Sequence, residues 1–258
     1  VTTRVRAVVH AHWQRRVDAG PRRQRLVTAF LAAAALVVVG VGTSLWFASS
    51  RGARPVRTPE VPPVTVAHVV ALAGMGSAVT VPGEDRPVDL AMGGAVASGA
   101  TVVTPASARV ALRTSDGVSL RVDAASRVRL LSATRLQLES GGVYVDNPST
   151  GTGGVRIEVR TPLGVASDVG TQFETRVDAR ELRVRVREGT VVVRRDAGTE
   201  GAKAGEELRI GATGTVARRG LPPHDPEWTW VVEMAPDPAI EGRPLGELLA
   251  WAARETGW

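Results

Sequence analysis

The chain has 258 residues, 43% of them hydrophobic, and a net charge of +6 at neutral pH. That length suffices for one sizeable folded unit with appendages. The sequence contains no cysteine, which excludes disulfides, thiol catalysis, cysteine-ligated zinc and iron–sulfur clusters.

The positive charge is concentrated at the N-terminal end. Residues 1–57 hold ten arginines against the single acid Asp18, a net charge of +9, so the remaining 201 residues carry −3. Between residues 58 and 220 there is no tryptophan, and the only large rings are Tyr144 and Phe173. Nucleic-acid binding needs a basic folded body or exposed rings for base stacking. We therefore predict that no nucleic acid is a partner.

Residues 26–47 form an apolar stretch of 22 residues without a charge, LVTAFLAAAALVVVGVGTSLWF. A helix of that length is about 33 Å long, close to the hydrocarbon thickness of a bilayer. More arginines precede this stretch than follow it, which favours a single-pass transmembrane helix with a cytoplasmic N-terminus. A cleaved signal peptide and a buried core helix are the alternatives.

The segments on either side of this stretch differ in character. Residues 1–25 are predicted to be a short cytoplasmic juxtamembrane segment in contact with the lipid bilayer. Residues 48–63 are predicted to be a spacer, because four of the ten residues in 54–63 are prolines, which hold a chain extended. This order predicts a membrane anchor with the rest of the chain on the side of the bilayer opposite the N-terminus.

Residues 64–220 alternate apolar and polar positions with a period of two, interrupted by glycine-rich turns. This pattern predicts many short, half-buried strands, and hence an all-β sandwich or barrel. Of these we favour a jelly-roll-like β-sandwich. Residues 182–187 place Arg183, Arg185 and Arg187 on one strand face. A solvated outer face is the commoner reading of such a row, and a binding surface for an anionic partner is the alternative.

Residues 221–258 begin with prolines and are predicted to be a linker followed by the start of a small α/β module. Residues 244–255 indicate a helix with an apolar face and Gly257 as its stop. One helix does not bury such a face alone, so we expect the module to continue beyond this sequence. The residues of that face are Leu245, Leu248, Leu249 and Ala252.

No residue pattern in the chain indicates an enzyme, a cofactor site or a metal site. The four histidines are scattered, with no recognisable catalytic or ligand spacing. Asp168 with Glu174, or Asp116 with Asp123, are conceivable carboxylate pairs. For both pairs, turn-stabilising and surface roles are much commoner than catalysis.

Two neighbouring stretches of the β region carry a family likeness. Residues 160–175, RTPLGVASDVGTQFET, are followed by residues 184–193, VRVREGTVVV, and together they resemble FecR-type domains. We interpret the shared residues as structural, since they suit tight strand corners and a core ring. They are Thr161, Pro162, Gly164, Gly170, Thr171, Phe173, Glu188 and Gly189.

The resemblance implies a single-pass protein of a bacterial inner membrane, with the β domain in the periplasm. Such a regulator passes a periplasmic signal to a cytoplasmic sigma factor of the extracytoplasmic-function (ECF) class, in the manner of an anti-sigma factor. Its implied partners are that sigma factor and the periplasmic domain of an outer-membrane receptor or another envelope protein. The alternative is a membrane-tethered adhesion, glycan-binding or scaffolding β-sandwich without sigma-factor control.

Overall fold

The computed structural model describes residues 64–84, 86–147, 155–238 and 241–258. All of them belong to one of the two units into which the chain divides, Pro62–Trp258. The predicted cytoplasmic segment, the transmembrane stretch and the spacer all lie outside the described residues. None of the helices within the described ranges is long and apolar enough to cross a bilayer.

The described part of this unit consists of seventeen strands and few helices, so the all-β prediction is confirmed, while the jelly-roll arrangement stays a prediction. The strands are β1 (Thr65–Ala73), β2 (Ala78–Thr80), β3 (Val88–Asp89), β4 (Ala95–Ala97), β5 (Thr101–Thr104), β6 (Arg109–Thr114), β7 (Ser119–Val122), β8 (Ser126–Ser132), β9 (Arg135–Asp146), β10 (Arg156–Thr161), β11 (Gly164–Val169), β12 (Gln172–Val177), β13 (Glu181–Glu188), β14 (Thr190–Arg195), β15 (Gly198–Lys203), β16 (Glu206–Gly211) and β17 (Val216–Gly220). A 3₁₀ turn (Pro226–Trp228) and two helices, α1 (Thr229–Glu233) and α2 (Leu245–Thr256), follow.

The strands form two sheets that share the long strand β9. Sheet A runs β4-β1-β6-β7-β9-β12-β13-β16-β17, and sheet B runs β3-β2-β5-β8-β9-β10-β11-β14-β15. Every pairing is antiparallel except β9 with β10. From β10 onward, successive hairpins alternate between the sheets, so the chain crosses the sandwich after each hairpin.

The core lies between the sheets because the apolar residues alternate along each strand. In β13, Leu182, Val184 and Val186 are fully buried in this core, as are Val143 and Val145 of β9. A second, smaller cluster lies on the outer face of sheet A, where Tyr144 packs with Leu221, Trp228 and Val231. The C-terminal residues therefore cover part of that outer face.

Helix α2 occupies the predicted place. It ends at Gly257, whose φ of 78° closes the helix in the left-handed conformation that glycine adopts without strain. Its apolar face is largely unpacked, since Leu245 and Leu249 are 69% and 60% exposed. The helix contacts sheet A through charged residues instead.

Candidate functional site: the outer face of sheet A

The outer face of sheet A carries charged side chains at the positions that alternate with the core residues. In β13 these are Arg183, Arg185 and Arg187, opposite the buried aliphatic side. The prediction that this row is solvated is wrong for two of them, because Arg185 and Arg187 are only 5% and 3% exposed. Residues 221–258 cover them, which the period of the strand alone does not reveal.

Arg185 lies at the centre of a buried ion-pair network. Its Nε donates to Glu207 on β16 at 2.6 Å, and its Nη1 donates to Glu174 on β12 at 3.2 Å. Its Nη2 donates to Glu227, which belongs to the C-terminal segment. The network thus joins three strands of the sheet to the residues that cover it. Paired buried charges of this kind add little net stability, because desolvation offsets most of their attraction.

Glu207 is the most strongly perturbed acid of this face. Burial alone would raise its pKa, but hydrogen bonds from Arg219, Arg185 and Arg209 outweigh that effect and hold the pKa of Glu207 well below its usual range. Glu207 therefore stays ionised at all physiological pH values and serves as a fixed negative centre.

Aromatic side chains pack the chain segment that follows β17 against the outer face of sheet A. The rings of Tyr144 and Trp228 pack edge to face with centroids 5.9 Å apart. The guanidinium carbon of Arg187 lies 5.5 Å from the Trp228 ring centroid, and Arg187 Nε donates to the Pro223 carbonyl at 2.8 Å. Burial raises the pKa of Tyr144 well above its usual range, with the Asp146 charge adding to the effect. Tyr144 is therefore a neutral packing group.

Helix α2 is joined to the sheet by a buried ion pair. Arg121 on β7 is fully buried, and its Nη2 donates to both carboxylate oxygens of Glu255 at 2.8 and 2.7 Å. Arg121 Nη1 also donates to the Val231 carbonyl at 2.8 Å, and its guanidinium carbon lies 5.2 Å from the Tyr144 ring centroid. Arg254, the neighbour of Glu255, pairs with Asp146 on β9 and, more exposed, with Glu188.

A groove of about 650 Å³ runs between α2 and the end of sheet A. Its walls combine arginines, acids, leucines and a tryptophan, so it is neither purely apolar nor of one charge. The lining residues are Arg113, Ser119, Asp146, Pro236, Asp237, Pro238, Arg243, Leu245, Glu247, Leu248, Trp251, Arg254 and Glu255.

The predicted family residues fall in two places, and the first is the β10–β11 hairpin. Thr161 Oγ1 accepts from the backbone N–H of Leu163 at 3.2 Å and donates to the Gly164 carbonyl at 2.8 Å. Pro162 lies in the same turn. These contacts close the hairpin, which is the role expected of a threonine in a tight turn.

The second place is where the chain crosses between the sheets. Gly170 and Thr171 join β11 to β12, and Gly189 joins β13 to β14. A Cβ atom on Gly189 would lie 2.4 Å from Thr171 Cγ2, so the two crossings are in direct contact. Phe173 is fully buried in the core beside them. Glu188 contacts the C-terminal segment through Arg254.

The conceivable carboxylate pairs do not form acid–base pairs. Asp168 accepts from the Thr171 backbone N–H at 3.1 Å and from its hydroxyl, while Glu174 lies in the other sheet, paired with Arg185. Asp123 pairs with Arg109, with Nε to Oδ1 at 2.7 Å. Among the described residues, no group of three histidines or acids is arranged to hold a metal ion.

Sequence reasoning missed Arg121, Tyr144 and Glu255 as a cluster. The available signal was the opposite charge of outward positions on neighbouring strands, such as Arg185 beside Glu174 and Glu207. That signal is visible only once the register is known, since these residues lie 11 and 22 positions apart in the chain.

Comparison with known proteins supports the family likeness. Residues 100–192 match the model of the FecR protein family, so the resemblance is confirmed over that segment. Two crystal structures of a protein described as a candidate anti-sigma factor, from Parabacteroides distasonis ATCC 8503, align with a TM-score of 0.44 and 14% identity. Each alignment covers 61% of this chain and 74% of the other. No curated protein matches the sequence significantly.

Proposed function

We propose that this chain is a membrane-anchored regulator in which the FecR domain receives a signal on one side of a bilayer and a short N-terminal segment acts on an ECF sigma factor on the other. The observation that carries the proposal is the FecR match at residues 100–192, preceded in the chain by an uncharged stretch of membrane-spanning length. We propose no catalytic role for any residue.

In this proposal residues 26–47 span the inner membrane and residues 1–25 remain in the cytoplasm, as the arginine distribution favours. The β domain, proposed to be jelly-roll-like, then lies in the periplasm. There it would meet the periplasmic domain of an outer-membrane receptor or another envelope protein.

The covered face of sheet A is the proposed receiving element. The C-terminal residues are attached to it through ion pairs and one small aromatic cluster, whereas the large core lies elsewhere between the sheets. The C-terminal residues either cover this face or leave it uncovered. A partner that binds one of these two states more tightly shifts the population toward that state, by an amount set by its difference in affinity for the two. The signal would then be transmitted across the bilayer by proteolysis of the chain or by rearrangement of the anchor helix.

Orientation is tested with a periplasm-active and a cytoplasm-active reporter, each fused after Trp258 in the full chain. We expect activity from the periplasmic reporter alone. Replacing Arg22, Arg23 and Arg25 by glutamine should reduce that preference. The matched replacement of Arg51, Arg54 and Arg57 should preserve it, because those arginines lie on the outer flank. Activity of the cytoplasmic reporter in the unaltered chain would contradict the proposed topology.

The sigma-factor role is tested by purifying the full chain from its native host and identifying cytoplasmic proteins that remain bound. We expect an ECF sigma factor, and we expect its loss when the order of residues 1–25 is scrambled with composition unchanged. Equal retention by the scrambled chain, or no sigma factor with either, would favour a tethered adhesion or scaffolding protein.

A further inference from the structure

The outer face of sheet B carries a concentration of positive charge. Along its strands, residues that point outward alternate with residues of the core. The charged outward residues of the described strands are six exposed arginines, Arg127, Arg129, Arg135, Arg156, Arg160 and Arg194, and three acids, Asp89, Glu139 and Glu158. Lys203 lies at the edge and is offset by Glu206 at 3.9 Å. The net charge of the face is therefore +3.

This charge is opposite in sign to that of the rest of the folded part of the chain. Residues 58–258 carry a net charge of −3, so the part of them outside this face carries −6. A soluble surface needs charges of both signs but does not need to separate them. Separation of one sign onto one face creates an electrostatic potential that attracts an anionic partner.

The strand register arranges three of these arginines in a straight row. Arg129 of β8 lies opposite Gln137 of β9, which lies beside Arg160 of β10. Arg160 lies opposite Val165 of β11, which lies opposite Arg194 of β14. The three arginines are therefore two strands apart, or about 10 Å, in a row of about 19 Å. We call Arg129, Arg160 and Arg194 the basic row.

The basic row is exposed and only weakly neutralised. Arg160 and Arg194 share one carboxylate, that of Glu158, with N–O distances of 3.4 Å each, and their side chains are 49% and 50% exposed. On sheet A, by contrast, Arg185 is buried beneath the C-terminal segment and pairs with three acids. The basic row thus keeps its charge available to a partner outside the described residues.

The chain enters the β domain beside this row. The carbonyl of Val64, the first described residue, accepts from the Ser98 N–H at 2.7 Å, and Ser98 Oγ donates to the Leu131 carbonyl at the end of β8 at 2.7 Å. The carbonyl of the next residue, Gly99, accepts from Arg129 Nε at 3.0 Å. The spacer that precedes Val64 therefore joins the domain next to the first arginine of the basic row.

We propose that the outer face of sheet B lies against the anionic headgroups of the membrane that anchors the chain, with the basic row in contact with the lipid. This inference rests on the proposed anchor at residues 26–47. The sixteen residues 48–63 can extend to at most about 55 Å, so the domain stays within reach of the bilayer. Tethering of this kind makes even weak contacts effective.

Other partners fit this face less well. A second copy of the chain would present the same positive charge to it. A single-stranded nucleic acid is bound by stacking on aromatic rings, and neither large ring of residues 58–220 lies on this face. Tyr144 packs on the outer face of sheet A, and Phe173 lies in the core.

The contact is tested by energy transfer between the domain and the lipid. The chain contains no cysteine, so Thr199→Cys gives one labelling site, at an exposed position beside Arg194. The labelled full chain is reconstituted in vesicles of phosphatidylcholine alone, or with about one third phosphatidylglycerol, that carry an acceptor on a lipid headgroup. We expect more energy transfer in the anionic vesicles. About 0.5 M salt should abolish the difference, because it shortens the Debye length to about 4 Å.

Replacing Arg129, Arg160 and Arg194 together by glutamine should lower the ratio of docked to undocked domain at least about tenfold. Each basic residue near an anionic surface strengthens the attraction about fivefold. The three side chains are exposed, so we expect the variant to keep its fold.

The matched control replaces Arg113, Arg180 and Arg243 by glutamine. These arginines are also exposed and lie outside the strands of sheet B, and the net charge changes equally. Arg113 donates to one backbone carbonyl, as Arg129 does, and Arg243 pairs with one glutamate, as Arg160 does. The control variant should dock as the unaltered chain does. The arginines of residues 1–25 are the same in both variants, so their own attraction to lipid does not affect the comparison.

Flotation with the neutral vesicles tests the anchor separately. A chain that floats with anionic vesicles but not with neutral ones, and that loses this binding in the basic-row variant, would refute the anchor and support the basic face. The inference is overturned if energy transfer is equal in neutral and anionic vesicles, or if the basic-row variant behaves like the control variant.

Discussion

The attachment of helix α2 to the β domain depends on one carboxylate, that of Glu255. Removing it by Glu255→Ala leaves the guanidinium of Arg121 fully buried with the Val231 carbonyl as its remaining hydrogen-bond acceptor among the described residues. Removing one partner of a buried ion pair costs about 3–5 kcal/mol, because the other charge stays desolvated.

The chain can avoid most of that cost by releasing α2, which lets water reach Arg121. The other ion pairs of α2 with the sheet, from Arg254 to Asp146 and Glu188, are partly exposed. An exposed pair such as Arg254 with Glu188 contributes about 0–1 kcal/mol, and Asp146, although buried, regains water when α2 leaves the sheet. We therefore expect the variant to keep its core and lose the attachment of α2.

Hydrogen exchange of the α2 backbone amides, with urea unfolding of the whole chain, measures both effects. In Glu255→Ala the protection of residues 246–256 should fall to that of a free helix, while strands β9 and β12 keep theirs. The matched control is Glu247→Ala on the same helix, whose pair with Arg243 is exposed on both sides. The control should change stability by no more than about 0.5 kcal/mol.

Replacing both residues of the pair distinguishes the cost of leaving one buried charge unpaired from the cost of losing the contact itself. The double variant Arg121→Met with Glu255→Leu removes both charges at similar volume, and such replacements are often neutral or stabilising. We expect it to restore protection of α2. If Glu255→Ala left that protection intact, or if the double variant exchanged as fast as the single one, the ion pair would not be what holds α2.

Three further predictions concern the β domain. Gly189→Ala should destabilise it by clearly more than Gly205→Ala in urea unfolding. Both glycines have φ near +80°, so the backbone strain of an alanine is similar at the two sites. The added Cβ would lie 2.4 Å from Thr171 Cγ2 at position 189, whereas at position 205 no atom lies within 4 Å. Equal losses in the free energy of unfolding would contradict this prediction. Phe173→Ala should lower the free energy of unfolding by about 3–5 kcal/mol, and a loss near 1 kcal/mol would mean that the core collapses around the site. The pKa of Glu207 in the folded state lies below the ordinary glutamate value of 4.5, so its ionised form stabilises the fold above that pH. This contribution is lost as pH falls through the folded-state pKa. Urea unfolding from pH 6 downward should thus show a shallower loss in Glu207→Gln than in the unaltered chain, and parallel curves would contradict this.

Much of the fold could be predicted from local pattern. The alternation in residues 182–187 assigned Leu182, Val184 and Val186 to the core, and the structure buries all three completely. Gly257 was likewise predictable as a helix stop, because a left-handed residue there requires no long-range information. These features depend on the period of the backbone and on single-residue conformational preferences.

The candidate site could not be predicted in the same way. Arg121 and Glu255 are 134 positions apart, and no local pattern joins them. The period of β13 separates Arg185 and Arg187 from the core residues. It does not say whether water or another part of the chain covers them, which is why the solvated reading was wrong.

The amino-acid sequence by itself determined the strand-rich class, the position of the core side chains, the helix stop at Gly257 and the FecR motif residues. All of these follow from short-range periodicity and from the conformational freedom of single residues. Only the tertiary structure decided that the crossings at Thr171 and Gly189 are in contact and that Arg113 lies beside Ser119. It also decided that α2 is attached to sheet A by ion pairs rather than by its leucines. The reason is physical: strand register and the covering of a sheet face are set by contacts between residues far apart in the chain.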